Sequence, residues 1–117
     1  MILIGENIHI ISKAVSEAVR NRDVAPIQAL ARAQAQAGAD YLDLNLGPAR
    51  REPQEVASWL VETVQEVADL PISLDTMNPL AMEAGLKLCR KRALLNSASG
   101  KSESRENMMP LAIKYNA

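Results

Sequence analysis

Gly38-Ala39-Asp40-Tyr41-Leu42-Asp43-Leu44-Asn45-Leu46-Gly47-Pro48 decides the fold of this 117-residue chain. In an extended segment successive side chains point to opposite faces, so Leu42, Leu44 and Leu46 share one side and Asp43 and Asn45 the other. The apolar side suits a layer of helices, and the polar side turns toward a polar interior. Upstream, Asp23 is a candidate N-cap, Ile27, Leu30, Ala31 and Ala35 form a helical stripe, and Gly38 stands where a left-handed C-terminal cap belongs. Helix, glycine and strand in that order are an α/β signature.

Three further short apolar runs end in the same way. Ile2-Leu3-Ile4-Gly5-Glu6-Asn7 reads as a buried strand ending at Gly5, Ile72-Ser73-Leu74-Asp75 as a third strand, and Ala93-Leu94-Leu95-Asn96 as a fourth. Between them the pattern predicts helices. Ser12 caps a short one carrying Val15, Ala18 and Val19. Pro53 opens one with Val56, Trp59, Leu60, Val64 and Val67 at helical spacing, which makes Trp59 a packing residue. Asn78-Pro79 starts one running through Cys89, and a last one begins near Ser102 or Ser104, carries Met108, Met109, Leu111 and Ile113, and is kinked or restarted at Pro110.

The order βαβαβαβα with polar tips at Glu6, Asp43/Asn45, Asp75 and Asn96 predicts a parallel sheet whose tips emerge on one face, where enzymes of this class bind ligands. Units of about 30 residues match those of a barrel in which about 250 residues make eight βα repeats. Four units are half of such a barrel, a (βα)4 half over residues 1–117. An open sheet exposes the edges of its first and last strands and invites pairing with another chain. A homodimer and a missing second half are the expectations.

Composition narrows the function further. The formal net charge is -1 and the basic residues are scattered apart from Arg50-Arg51 and Arg90-Lys91-Arg92, so no electrostatic footprint for nucleic acid is present. No stretch free of Lys, Arg, Asp and Glu exceeds eight residues, too short for a transmembrane helix or a secretory core, and the expected location is cytoplasmic. Cys89, the single cysteine, sits in an apolar helical pattern as a buried hydrophobe. With His9 the only histidine, a His-rich metal site within this chain is excluded, and a Ser-His-Asp set would have to be built on His9 alone. His9 itself reads as a structural or loop-orienting group just beyond the first strand, although its ordinary pKa of about 6.5 suits a proton donor.

A lone Asp at a strand end often caps the next helix. A cluster of such tips is different, because each buried polar group without a partner costs about 1–3 kcal/mol, so the cluster needs a mutual network or a polar ligand. An ionised carboxylate only accepts, and its two oxygens match a flat group offering two adjacent N–H donors, while Asn presents both a donor and an acceptor. A pterin or guanine-like ring has that combination. A phosphate would call for backbone amides and cations, and Gly100-Lys101-Ser102 lacks the earlier glycine of a P-loop, Leu95 standing in its place.

The set Ile4-Gly5-Glu6, Leu42-Asp43-Leu44-Asn45-Leu46-Gly47-Pro48, Leu74-Asp75-Thr76, Glu83-Ala84-Gly85-Leu86 and Leu95-Asn96-Ser97 resembles the pterin-binding methyltransferases, and the likeness runs in order through the whole chain. The resemblance implies a dihydropteroate synthase-like TIM barrel, of which this chain looks like the first four units. It also implies pterin contacts from Asp75 and Asn96, with Asp43, Asn45 and Glu6 as further carry-overs and no assignable catalytic group. His9 departs from the family, whose relatives more often have Asn there.

The implied reaction moves the N5 methyl group of methyltetrahydrofolate to the cobalt of a protein-bound corrinoid. A tertiary amine leaves badly unless its nitrogen gains a proton or a strong hydrogen bond, so help at N5 is needed, while Asp75 and Asn96 orient the ring. The chain lacks the Asp-x-His-x-x-Gly signature of corrinoid domains, so a corrinoid protein is the expected partner. Dihydropteroate synthase shares the Asp/Asn pair but not the first loop or the turn after the second strand. A non-catalytic pterin-binding half-barrel is the other alternative.

Overall fold

The computed structural model describes residues 4–9, 13–46, 52–76, 78–95, 109–115 and 117, with the backbone alone for 4–7 and 9. The elements follow as β1 (Ile4–His9), α1 (Lys13–Asn21), α2 (Val24–Gln36), β2 (Tyr41–Asn45), α3 (Pro53–Gln65), β3 (Ile72–Asp75), α4 (Pro79–Leu86) and β4 (Leu94–Leu95), and residues 109–114 are helical. The expected starts of the first and last helices at Ser12 and near Ser102, and Met108, lie outside the described residues.

Local chemistry explains most boundaries. The Asp23 carboxylate accepts from the Ala25 N–H, and Asn78 accepts from both Leu80 and Ala81, filling donors that the first turns of α2 and α4 leave open. Pro53 and Pro79 stand at helix starts, where a missing N–H costs nothing. Gly38 has φ +90°, the left-handed geometry that lets the chain leave α2 and enter β2. α4 stops at Leu86, short of the expected Cys89. The chain there leaves the helix through a turn, and the Gln65 side chain grips the new path by donating to the Leu88 carbonyl and accepting from the Arg90 N–H.

All four strands pair in parallel, in the sequential order β1-β2-β3-β4. Neighbouring parallel strands joined by crossovers of one hand place their helices on one face of the sheet. α2 accordingly packs on β1 and β2, α4 packs on β3, and successive helices pack on each other. The core between these layers contains Ile8, Ile27, Leu42, Leu44, Leu60, Ile72, Leu74 and Met82, all fully buried. The structure is thus an α/β half-layer compatible with part of a barrel. β1 departs from expectation by running through to His9. Its register shifts between Gly5 and Ile8, where three steps of β1 oppose two of β2, so one extra residue is accommodated as a bulge.

The helical segment 109–114 returns to α4. Leu111, Tyr115 and Ala117 pack against the core, whereas Ile113, expected on the apolar stripe, is 78% exposed. Lys114 Nζ and Tyr115 Oη both donate to one Glu83 oxygen, at 3.0 and 2.9 Å. Those two bonds hold the Glu83 carboxyl below its ordinary 4.5, and the same Glu83 bond raises Lys114.

Two measurements probe this packing. A Cβ on Gly85 would meet Leu74 Cδ1 at 2.8 Å and Cδ2 at 3.2 Å. Overpacking costs about 1–3 kcal/mol while alanine gains about 1 kcal/mol in helix propensity, so Gly85→Ala should lower urea-unfolding stability by about 1 kcal/mol and Gly85→Leu by more. For Glu83, a folded carboxyl below its unfolded value contributes stability that is complete above about pH 4.5 and is lost as pH falls through the lower folded value. Protection factors at 111–115, taken against intrinsic exchange at each pH, should therefore fall on acidification, and Glu83→Gln should abolish that fall.

Candidate functional site

The β2–β3 register sets the geometry. It pairs Asp43 with Ser73 and Asn45 with Asp75, so the polar side chains of two strands stack as two rungs on one face. In the lower rung Ser73 Oγ donates to Asp43 Oδ1 at 2.8 Å, with Asp43 3% and Ser73 1% exposed. In the upper rung Asn45 Nδ2 donates to Asp75 Oδ2 at 3.0 Å, and both residues are partly exposed. The lower rung is a buried pair. The upper one, at the C-terminal edge of the strands, faces outward.

Asp75 is held firmly from behind. Its carbonyl accepts from the Leu46 N–H at 3.0 Å, which extends the ladder one step beyond β2. Only three residues separate β3 from α4, and within them Thr76 Oγ1 accepts from the Asn78 N–H at 3.1 Å before Asn78 caps α4. The carboxylate thus stands on a short, cross-braced turn.

The first-strand tip differs from expectation. Glu6 lies within β1 at the register shift, and the residue level with Asn45 is His9. A row His9, Asn45, Asp75 therefore crosses three strands at their C-terminal edge. Simple alternation misses this row because the extra residue changes the parity of everything after it; the Glu6-Asn7 pair, polar inside an apolar run, is the one signal that marked the place. Ser73 was visible as a small polar residue in a buried strand, and its partnership with Asp43 required the register. Asn96, with Arg50 and Arg51, lies outside the described residues, and Arg92 is exposed.

Elsewhere, a groove of about 550 Å³ runs between α3 and α4, lined by Glu55, Trp59, Glu62, Leu80, Lys87 and Leu88 among others. It contains no strand-tip residue and lies on the helical side of the sheet. Trp59 packs against the core there, as expected, with the Arg22 guanidinium 5.7 Å from its ring centre. Cys89, half-buried and donating to the Gly85 carbonyl, has its thiol pushed up to about 11 by burial, which makes it inert.

Comparison with known proteins identifies the family. Residues 12–117 match the family described as pterin binding enzyme. Over 111 residues, 95% of this chain, the sequence is 36% identical to a methylcorrinoid:tetrahydrofolate methyltransferase of Eubacterium limosum. The chain spans 41% of that relative's length.

The lower rung makes a direct prediction. Ser73→Ala removes a buried donor to a carboxylate, a bond of about 1.5–3 kcal/mol, and should lower the midpoint of urea unfolding accordingly. An unchanged midpoint would mean that Asp43 does not depend on Ser73.

Proposed function

This chain belongs to the pterin-binding enzyme family, and from that membership we propose that it is the pterin-binding portion of a methyltransferase acting between a tetrahydrofolate and a protein-bound corrinoid. The observation that carries the reading is the Asn45–Asp75 rung at the C-terminal edge of the parallel sheet. A braced carboxylate there offers two coplanar acceptor oxygens, the complement of the adjacent N–H donors of a pterin ring.

In this reading residues 1–117 are the N-terminal (βα)4 half of a TIM barrel. Asp75 and Asn96 contact the ring, and Asp43, Asn45 and Glu6 complete the polar set. The work of Asp75 and Asn96 is to bind the ring and hold its N5 in line with the methyl group, and the other groups support them. Methyl transfer exchanges the methyl group between cobalt and N5, with N5 losing a proton as it becomes methylated and regaining one in reverse. The relative's name gives the methylcorrinoid first, the direction opposite to transfer from methyltetrahydrofolate. Both directions share one transition state, so one arrangement of residues serves either. A corrinoid protein and a second copy of this chain are the proposed partners, and the cytoplasm the proposed location; among the described residues no helix is long and apolar enough to cross a membrane.

Methylcobalamin and tetrahydrofolate incubated with the chain should show the corrinoid spectrum changing as methyl is lost. An unchanged spectrum at high protein concentration would overturn the activity for this chain, and pteroate formation from para-aminobenzoate would point to a synthase instead. Asp75→Ala should weaken tetrahydrofolate binding about 10- to 100-fold, the equivalent of a charge-assisted hydrogen bond, with an unchanged circular dichroism spectrum. Normal affinity in that variant would remove Asp75 from the site.

A further inference from the structure

We propose that Asn45 is a positioning residue, which holds the Asp75 carboxylate in the plane that reads the ring and does not bind the ring itself. The inference rests on the pterin-binding reading and deepens it. Its starting point is the 3.0 Å bond from Asn45 Nδ2 to Asp75 Oδ2 between residues in direct register. An ionised carboxylate accepts and never donates, so only the nitrogen end of the amide can face it. The orientation of Asn45 is therefore fixed by charge, and its carbonyl end is turned away from Asp75.

The bond selects one rotation of the Asp75 carboxylate about its bond to Cβ, a torsion that is otherwise broad. A ring with two adjacent N–H donors gains both hydrogen bonds only when the two oxygens lie in its own plane, and a carboxylate already held there loses less freedom on binding. Each carboxylate oxygen has about two acceptor sites, so the bond from Asn45 does not by itself exhaust Oδ2.

The surroundings leave this role to Asn45. Asp43, one rung below on the same strand, is engaged by Ser73 and buried. On the β1 side His9 occupies the neighbouring register position, and on β3 Asp75 is the facing carboxyl. The helices meet the opposite face of the sheet through apolar side chains such as Ile27, Leu60, Val64 and Met82. Among the described side chains the carboxyls of Asp43 and Asp75 are the titratable groups of the two rungs, and His9 stands at the neighbouring register position.

Tetrahydrofolate binding by the whole chain tests the proposal through a double-mutant cycle. Asn45→Ala should weaken affinity about tenfold, Asp75→Ala at least as much, and the double variant no more than Asp75→Ala alone, because Asn45 acts through Asp75. Additive losses would mean that Asn45 touches the ring, and an unaffected Asn45→Ala would mean that it positions nothing; either result overturns the proposal.

Asn45→Asp supplies a readout that a merely structural role would not move. Two carboxyls about 3 Å apart cannot both ionise readily and hold one shared proton with a raised apparent pKa. While that proton is present the introduced carboxyl donates to Asp75 as the amide did, so affinity should approach that of wild type at low pH and fall as pH rises through the raised value. The same series in a His9→Asn background removes the one imidazole of the chain as a source of pH dependence. A profile parallel to wild type in both backgrounds overturns the proposal.

A ligand-free measurement separates this proposal from the functional reading. Exchange of the Asn45 side-chain amide protons, followed by NMR, should be slowed in wild type and quickened in Asp75→Ala. Unslowed exchange overturns the positioning role whether or not folate binds. Slowed exchange in a chain that does not bind tetrahydrofolate overturns the pterin-binding reading, and the ring-reading role of Asn45 with it.

Discussion

Everything at the strand edge depends on the parallel register between β2 and β3. Parallel pairing in that register makes residues 43 and 73, and 45 and 75, neighbours although each pair is separated by 30 positions. Period-two geometry then puts all four on the face away from the helices. A slip of one residue would turn Asp43 and Asn45 into the apolar core and bring Leu42 and Leu44 out. The fully buried leucines are what forbid that slip, so the polar rungs are held in place by the hydrophobic effect acting on the opposite side of the same strands.

The two rungs divide the labour of polar groups in a core. Asp43 and Ser73 satisfy one another in the buried layer, which makes a carboxylate tolerable there. Asn45 and Asp75 repeat the pairing one step nearer the edge, where both are partly exposed.

Much of this was legible in the sequence, for identifiable reasons. Helix starts at Asp23, Pro53 and Asn78-Pro79, and the reversal at Gly38, depend on interactions within a few residues, and the structure places them as the local chemistry predicts. The alternation of Leu42 to Leu46 and of Ile72 to Asp75 correctly assigned their faces. What local reading missed is non-local. The extension of β1 to His9 needs a neighbouring strand to pair with, and its bulge changes parity without any glycine or proline at the extra residue. The early end of α4 depends on Gln65, more than 20 positions away, offering a better partner to the Leu88 and Arg90 backbone. Ile113 obeys helical spacing yet stays in solvent, because the contact of its segment is anchored through Leu111 and Tyr115.

The three-residue connection after Asp75 has a further meaning for recognition. Asn78 is bonded both to Thr76 and to the first turn of α4, so the backbone after Asp75 is tied to a helix. If a ring binds at Asp75 as proposed, that tie would make the tip a fixed datum against which the remaining walls of the cavity are gauged. Discrimination among flat heterocycles would then be exercised there as a matter of rigid shape, and adaptation to whatever hangs from the ring would be left to longer connections.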